Sequence, residues 1–371
     1  MSISTYQVVI IGAGPAGSIC AIRLLQLGIK QVLIVEAGNF EKFRIGESIP
    51  PDTNRLFHQL GIYHDFIAEK HEPCYGSCSY WGSQNRGYND FLLNPNGRGW
   101  HLDRSRFNRF LAKKAVEMGA ELRIFTTFKA SKKTANGYRL TLSSQNNTTT
   151  VVQTQIVVDA SGQKTAFATT QNAQKVEITP IICLSKRYQQ VDSHTTISKL
   201  THLEASKYGW WYAALLPNQS LLVAFYTNAT SIKKVGLNKN KIWEKHLKKT
   251  ISIQKLTQGL SPMEHRPKGF PAPSYILDKI SGKHWLAIGD AASAYDPITA
   301  QGITKAMFTA LEAAPLIVKR LNNELTNFRP FDIFIIKQFE QYLAMRSYFY
   351  QQEQRWKGSP FWQQFHQLYG S

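Results

Sequence analysis

Gly12-Ala13-Gly14-Pro15-Ala16-Gly17 sets glycine at the first, third and sixth places of a turn, a spacing that lets the main chain close on a pyrophosphate. Gly12 permits the turn, Gly14 lets the backbone reach the phosphates, and Gly17 lets a helix lie close on a strand; Ala16 belongs to the same loop. A helix starting there offers unpaired N–H groups and the positive end of its dipole to an anion. Glu36, with Ala37 after it, closes the next apolar run; its carboxylate suits ribose hydroxyls and would repel a 2′-phosphate. The chemistry is adenine-dinucleotide binding, with NAD and FAD both open on these residues. The four cysteines, Cys20, Cys74, Cys78 and Cys183, include a C-x3-C pair, but no second Cys or His pair stands at ligand spacing, so plain thiols and no metal are expected.

The elements that must position the turn are legible around it. Tyr6 to Ile11 reads as a buried strand, Ala16 to Leu27 as a helix closed by Gly28, and Gln31 to Val35 as a second strand. A helix to Leu60 follows Ile49-Pro50-Pro51, and another spans Asp103 to Met118, with Asp103 as N-cap and Gly119 as its end. Strands are expected at Leu122 to Phe125, Tyr138 to Leu142 and Val151 to Val158. From about Ala166 to Ser274 the pattern alternates as in β-strands, interrupted by a Lys-rich helix near Lys239 to Lys249. Trp285 to Ile288 is again a buried strand, feeding Gly289-Asp290 and a helix from Gly302 to Leu321. An aromatic-rich helical tail follows Arg329-Pro330.

The 371 residues suffice for two domains, and 44 Lys+Arg against 25 Asp+Glu give a net charge of +19. The basic residues are scattered, with Lys245, Lys248 and Lys249 the densest cluster, and no nucleic-acid recognition motif accompanies them. The charge points to an acidic protein partner or to dinucleotide phosphates, not to nucleic acid. No apolar stretch approaches the roughly 20 residues of a membrane span. No basic-then-apolar leader opens the sequence, so a cytoplasmic setting is expected.

Ala287-Ile288-Gly289-Asp290-Ala291-Ala292, with Asp296-Pro297 and Gln301-Gly302, resembles the second FAD motif of flavoprotein hydroxylases. The resemblance implies that Gly289 and Asp290 hold the ribitol, and that Pro297, Gly302 and Ile303 lie against the flavin ring. Asp159-Ala160-Ser161-Gly162 resembles the family's Asp-Gly signature with two residues intervening, and Asp103-Arg104 resembles its helix-borne arginine segment. With Ser48, these residues and the glycine turn make up the expected FAD site, in which Asp159, Gly162 and Arg104 are included. The implied fold is α/β: a Rossmann-like FAD-binding domain of the glutathione-reductase/hydroxylase type, with an inserted, mainly antiparallel β substrate domain. The expected FAD domain is residues 1–70, 100–165 and 278–325, the substrate domain 71–99 and 166–277, and a C-terminal helical cap 326–371. With one glycine-rich turn there is no separate NAD(P)H domain, so electrons come from NAD(P)H or a reductase without a binding fingerprint.

Phe43-Arg44-Ile45-Gly46-Glu47-Ser48-Ile49-Pro50-Pro51 is similar to the Gly-Glu-Ser segment of flavin-dependent halogenases and their relatives. The lysine a halogenase carries before an aromatic-Gly segment is missing between Glu72 and Gly82, with Lys70 just upstream; Tyr212 and Ala214 stand where the paired tryptophans of a second halogenase mark would be. Gly46 to Pro51, Trp81-Gly82-Ser83 and Gly99 to Arg104 together most resemble the LodB/GoxB-like flavoprotein partners of bacterial lysine ε-oxidase and glycine oxidase. That resemblance implies insertion of oxygen from O2 into a tryptophan of an oxidase precursor, on the route to cysteine tryptophylquinone. Hydroxylation or halogenation of a small aromatic molecule, and a maturation chaperone with redox-silent FAD, are the alternatives. Tyr75, Tyr80, Trp81, Trp100, Trp210, Trp211 and Tyr212 are candidates to line a dry substrate pocket, or else plain core. Loss of a proton from the oxygenated ring calls for a carboxylate or imidazole, and Glu47 and His101 are the candidates; the alternatives are a turn-bonding Glu and a structural His.

Overall fold

The structure is a computed structural model that describes residues 3–191 and 197–366. Residues 1–2, 192–196 and 367–371, at the edges of the expected FAD domain and cap and within the expected substrate domain, lie outside the described residues.

The main sheet runs Ser281–Gly282, Trp285–Ala287, Thr149–Asp159, Ser4–Ile11, Val32–Val35, Glu121–Arg123, with the first pair antiparallel and the others parallel. Val8, Val9, Ile10, Leu33, Ile34, Val157 and Val158 are buried, as continuous apolar strands covered on both faces must be. Gly137–Ser144 pairs antiparallel with Thr149–Asp159 and carries Thr126–Thr134 beyond it. The helices Pro15–Gln26, Arg104–Glu117 and Gly302–Leu321 share one core with this sheet. Asp103 caps the second of them, its side chain accepting the Arg106 N–H at 3.0 Å.

A second, mostly antiparallel sheet runs Leu260–Pro262, Ile181–Gln190, Leu221–Thr227, Gly209–Leu215, Thr201–Ser206, Gly76–Tyr80, Gly87–Asp90. Alternate side chains along its strands enter separate cores, as strand geometry requires. Trp211 and Phe225 pack with Trp243 of the helix Asn240–Leu247, whereas Trp210 and Tyr226 pack with Tyr350, Phe361, Trp362 and Phe365. The latter four belong to the helices Arg329–Gln352 and Pro360–His366, so the C-terminal segment covers the second sheet. A small sheet of Ser48–Ile49, Gly99–His101 and Glu72–Cys74 links the two regions. No helix among the described residues is long and apolar enough to cross a membrane.

Candidate active site

The glycine turn follows Ser4–Ile11, and packing decides two of its glycines. A Cβ on Gly12, at φ 108°, would lie 2.4 Å from the Ala160 carbonyl oxygen, and one on Gly17 would lie 1.9 Å from that of Gly12. A Cβ on Gly14 would meet nothing within 4 Å. Its site faces open space at the head of the helix Pro15–Gln26, whose first turn has neither a side-chain cap nor an acidic residue. Open N–H groups and an unopposed dipole are what a pyrophosphate needs there. Glu36 braces the rim, accepting the Ala13 N–H at 2.8 Å and the Gly38 N–H at 3.0 Å, with Ala37 exposed beside it.

The second motif is built against the first. Gly289 has φ 60°, and a Cβ there would come within 2.7 Å of the Ala16 methyl. Asp290 is partly exposed and holds Lys305 Nζ at 2.9 Å, while its carbonyl accepts the Tyr275 hydroxyl at 2.5 Å. The turn Pro297–Thr299 leads into Gly302–Leu321, a second helix whose N-cap, Gln301, supplies no side-chain bond. Gly302 is exposed with open space at its Cβ position, and Ile303 is buried behind it. Asp296 fixes this loop: it accepts the Ile298 N–H at 3.0 Å, the Tyr350 hydroxyl at 2.9 Å and Arg346 Nε at 3.1 Å, and its own N–H donates to Tyr342 Oη.

Asp159 departs from the expected ligand role. It is fully buried; one oxygen accepts the Ser161 N–H and hydroxyl, and the other accepts the N–H groups of Phe167 and Ala168. Its carboxylate ties down the loop beneath Gly12 and has no oxygen left to offer. Gly162, at φ 66°, opens the short turn Gly162–Lys164 near the start of that loop, with open space at its Cβ position. Arg104 reaches back to donate to the carbonyls of Ile45 and Gly46 at 3.0 and 2.7 Å. Burial and neighbouring Arg44 push its pKa down to about 10, against the opposing pull of Glu47 and Asp290.

Glu47 and Arg104 form part of the wall of a cavity of about 230 Å³, shared with Phe43, Arg44, Leu216 and Pro217. Glu47 is buried, and that burial raises its pKa, with the Tyr212 hydroxyl and Arg104 pulling the other way. Behind it runs a chain of hydroxyls. Tyr212 Oη lies 2.7 Å from Ser48 Oγ, Ser48 Oγ 3.3 Å from Thr201 Oγ1, and Thr201 Oγ1 2.9 Å from His101 Nε2. His101 Nδ1 lies 3.0 Å from the Leu215 carbonyl, which can only accept, so the ring carries its proton there and Nε2 accepts from Thr201. His101 is fully buried, and burial lowers its pKa to about 4. His101 therefore stands at the far end of the chain, not in the cavity wall, and Ser48 is a link in the chain.

The seven aromatics do not line one pocket. Tyr212 alone sits beside Glu47. Trp100 is core and donates to Asn54, Trp210 stacks on Tyr226, and Trp211 packs on Trp243 across the same strand. Trp81 donates to the Phe349 carbonyl, Tyr75 is exposed, and Tyr80 borders a different cleft. Consecutive residues on a strand face opposite ways, so Trp210 and Trp211 enter different cores.

A family model described as an FAD binding domain matches residues 5–325. The chain belongs to this FAD-binding domain family. It is similar to LodB of Marinomonas mediterranea, described as an FAD-dependent oxidoreductase, with 25% identity covering 98% of this chain and 97% of that one. A 1H-pyrrole-2-carbonyl carrier-protein brominase of Pseudoalteromonas luteoviolacea is 26% identical over 86% of this chain and 78% of its own. Among solved structures, the myxobacterial chondrochloren halogenase CndH superposes with TM-score 0.88 at 19% identity, covering 98% of this chain and 86% of that one. The peptidyl tryptophan dihydroxylase QhpG superposes with TM-score 0.74 at 21% identity, covering 98% and 79%. These structural likenesses share the fold.

FAD is the cofactor of this flavoprotein, and its residues fit the group. Two uncapped helix N-termini, at Gly14 and Gly302, are brought together by the Gly289–Ala16 contact, and both present open Cβ positions. Lys305, Arg346, Tyr342 and Tyr350, which hold Asp290 and Asp296, escaped the sequence reading. A signal existed for three of them: Phe331, Ile335, Phe339, Tyr342, Arg346 and Tyr350 form a buried stripe at helical spacing, and a cation within such a stripe implies a buried partner.

Proposed function

We propose that this FAD-dependent oxidoreductase is a monooxygenase that adds oxygen to a tryptophan side chain of a partner oxidase precursor during cysteine tryptophylquinone formation. The observation that carries the reading is Glu47, a buried carboxylate in a cavity wall, backed by the hydroxyl chain to His101. Bound FAD, once reduced by NAD(P)H or a reductase, supplies the two electrons with which O2 yields one oxygen atom for transfer and one for water. The ring carbon that gains oxygen must shed its proton, and Glu47 accepts it. The Tyr212 hydroxyl beside Glu47 steadies the ionised form, and Ser48, 2.7 Å from that hydroxyl, links it through Thr201 to His101. Burial excludes water, which keeps the carboxylate a stronger base than in solvent.

The indole substrate is supported by the end-to-end similarity to LodB and by the shared fold with QhpG, whose substrate is a peptidyl tryptophan. Lys70 is exposed, lines neither cavity described here, and lends halogenation no support. The test is coexpression with candidate oxidase precursors and peptide mass analysis. Gain of one or two oxygen atoms on tryptophan is expected, and it should vanish with Glu47→Gln while FAD stays bound. An unmodified precursor beside a flavin that O2 readily reoxidises would overturn the substrate, bromide-dependent product masses would favour halogenation, and a flavin without redox activity would favour a chaperone.

A further inference from the structure

The larger of the two cavities lies away from Glu47. It is a cleft of about 510 Å³ where three cation-bearing parts of the chain converge beside Tyr80 and Gln84: the hairpin turn after Thr201–Ser206, the end of the helix Asn240–Leu247, and the segment after Arg329–Gln352. These bring in Lys207, then Lys245 and Lys249, then Arg355. Two of the cations lie against aromatic walls, Lys207 Nζ 5.6 Å from the Tyr208 ring centre and the Arg355 guanidinium 4.4 Å from that of Trp356.

The charges within the cleft do not balance. Its carboxylate, Glu204, is already engaged, accepting the N–H groups of Ile251 and Ser252 at 2.5 and 2.8 Å. Arg355 is matched by buried Glu353, with Nη2 to Oε2 at 2.5 Å. Lys207, Lys245 and Lys249 have no ion-pair partner among the described residues. Lysines near a helix C-terminus suit its dipole, which accounts for Lys245 and Lys249 separately. It does not account for Lys207 arriving from another element at the same concavity.

We infer that this cleft docks an acidic segment of the protein substrate, an inference that rests on the proposed action on a protein partner. Thr201–Ser206 connects the two sites: Thr201 touches Ser48 and His101, and Ser206 lies in the cleft. At about 3.3 Å per residue the two ends are roughly 16 Å apart. Glu204 and Thr201 point to opposite faces of that strand, so a peptide held in the cleft tethers its protein without touching the reacting atoms. Carboxylates on an extended chain match three unpaired ammonium groups spread along a concavity. A single small anion would leave most of them unmet.

The test uses FAD-loaded protein and fluorescein-labelled hexaglutamate, followed by anisotropy at about 0.15 M salt. Lys245→Glu/Lys249→Glu should weaken binding about tenfold, while the control Lys132→Glu/Lys133→Glu, on the exposed hairpin strand of the main sheet, should change it less than about twofold. Bound FAD reports folding, and Lys245→Ala/Lys249→Ala serves if the reversed charges unfold the chain. Equal losses in the two variants would reduce the effect to net charge and overturn the site. Equal competition by hexauridylate would assign the cleft to nucleic acid and also overturn it. Failure here with the precursor still oxygenated sinks the docking site alone, whereas selective peptide binding beside an unmodified precursor sinks the proposed reaction.

Discussion

Arg346→Met tests how the C-terminal segment holds the loop before the second open helix. Arg346 and Asp296 are both fully buried and paired at 3.1 Å, and breaking a buried pair from one side costs about 3–5 kcal/mol. Two features lower the expected figure. Asp296 keeps the Tyr350 hydroxyl at 2.9 Å and the Ile298 N–H at 3.0 Å, so it is not stripped bare. Arg346 Nη1 and Nη2 are buried without partners, a burden of about 1–3 kcal/mol that methionine removes. The net loss should be about 2–3 kcal/mol. Asp296→Asn/Arg346→Met, with neither charge left, should return to within about 1 kcal/mol of the parent. Urea unfolding with FAD in excess measures both, and reconstitution of the apoprotein should show FAD affinity in the single variant falling about tenfold as the Pro297 loop loosens. A single variant within about 0.5 kcal/mol of the parent, or a double variant as damaged as the sum of the singles, would refute the reasoning.

Gly14→Ala and Gly17→Ala should separate binding from folding: the first leaves apoprotein stability within about 0.5 kcal/mol but weakens FAD binding, whereas the second costs about 1–3 kcal/mol without FAD, because its methyl meets the Gly12 carbonyl. Thermal unfolding and FAD titration distinguish them. Glu47→Gln should lower oxygen transfer about 10²–10⁴-fold with FAD retained, and the parent's activity should fall with acidification through a midpoint above the ordinary carboxylate range, as a raised carboxylate pKa requires. The same shift reverses in stability: burial of Glu47 is least unfavourable below its unfolded pKa and most unfavourable above its folded one, so Glu47→Gln should gain stability relative to the parent as pH rises through the first toward the second. His101, lowered to about 4, favours the folded state above its unfolded value of about 6.5 and loses that contribution as pH falls toward 4. His101→Gln should flatten acid unfolding across that window, measured by melting temperature against pH, with buried His71 and His202 acting in the same sense.

The FAD cradle was legible because backbone geometry dictates it: only glycine survives at Gly12 and Gly17, and the pattern is local. What lay beyond sequence reach was the use made of each polar group. Asp159 and Asp290 both stand at strand ends, yet the first spends both oxygens on the loop at Ser161 to Ala168 and the second stays open to Lys305, a difference set by where the chain turns next. His101 and Glu47 read as two independent proton acceptors because Thr201 and Tyr212, which connect them, come from strands of the inserted region. The connection also changes what each residue is for. With Leu215 fixing the imidazole proton on Nδ1, Nε2 can only accept, so Thr201 donates to it and is left to accept from Ser48. With its own proton on Thr201, Ser48 accepts from Tyr212, so Tyr212 can donate to an ionised Glu47 only when Ser48 turns its proton from Thr201, 3.3 Å away, to Tyr212 at 2.7 Å. His101 thus sets the direction of the chain and Glu47 moves the proton. Thr201→Val should therefore disturb the pH profile of Glu47 more than His101→Gln does, since glutamine still accepts from Thr201 while valine severs the chain.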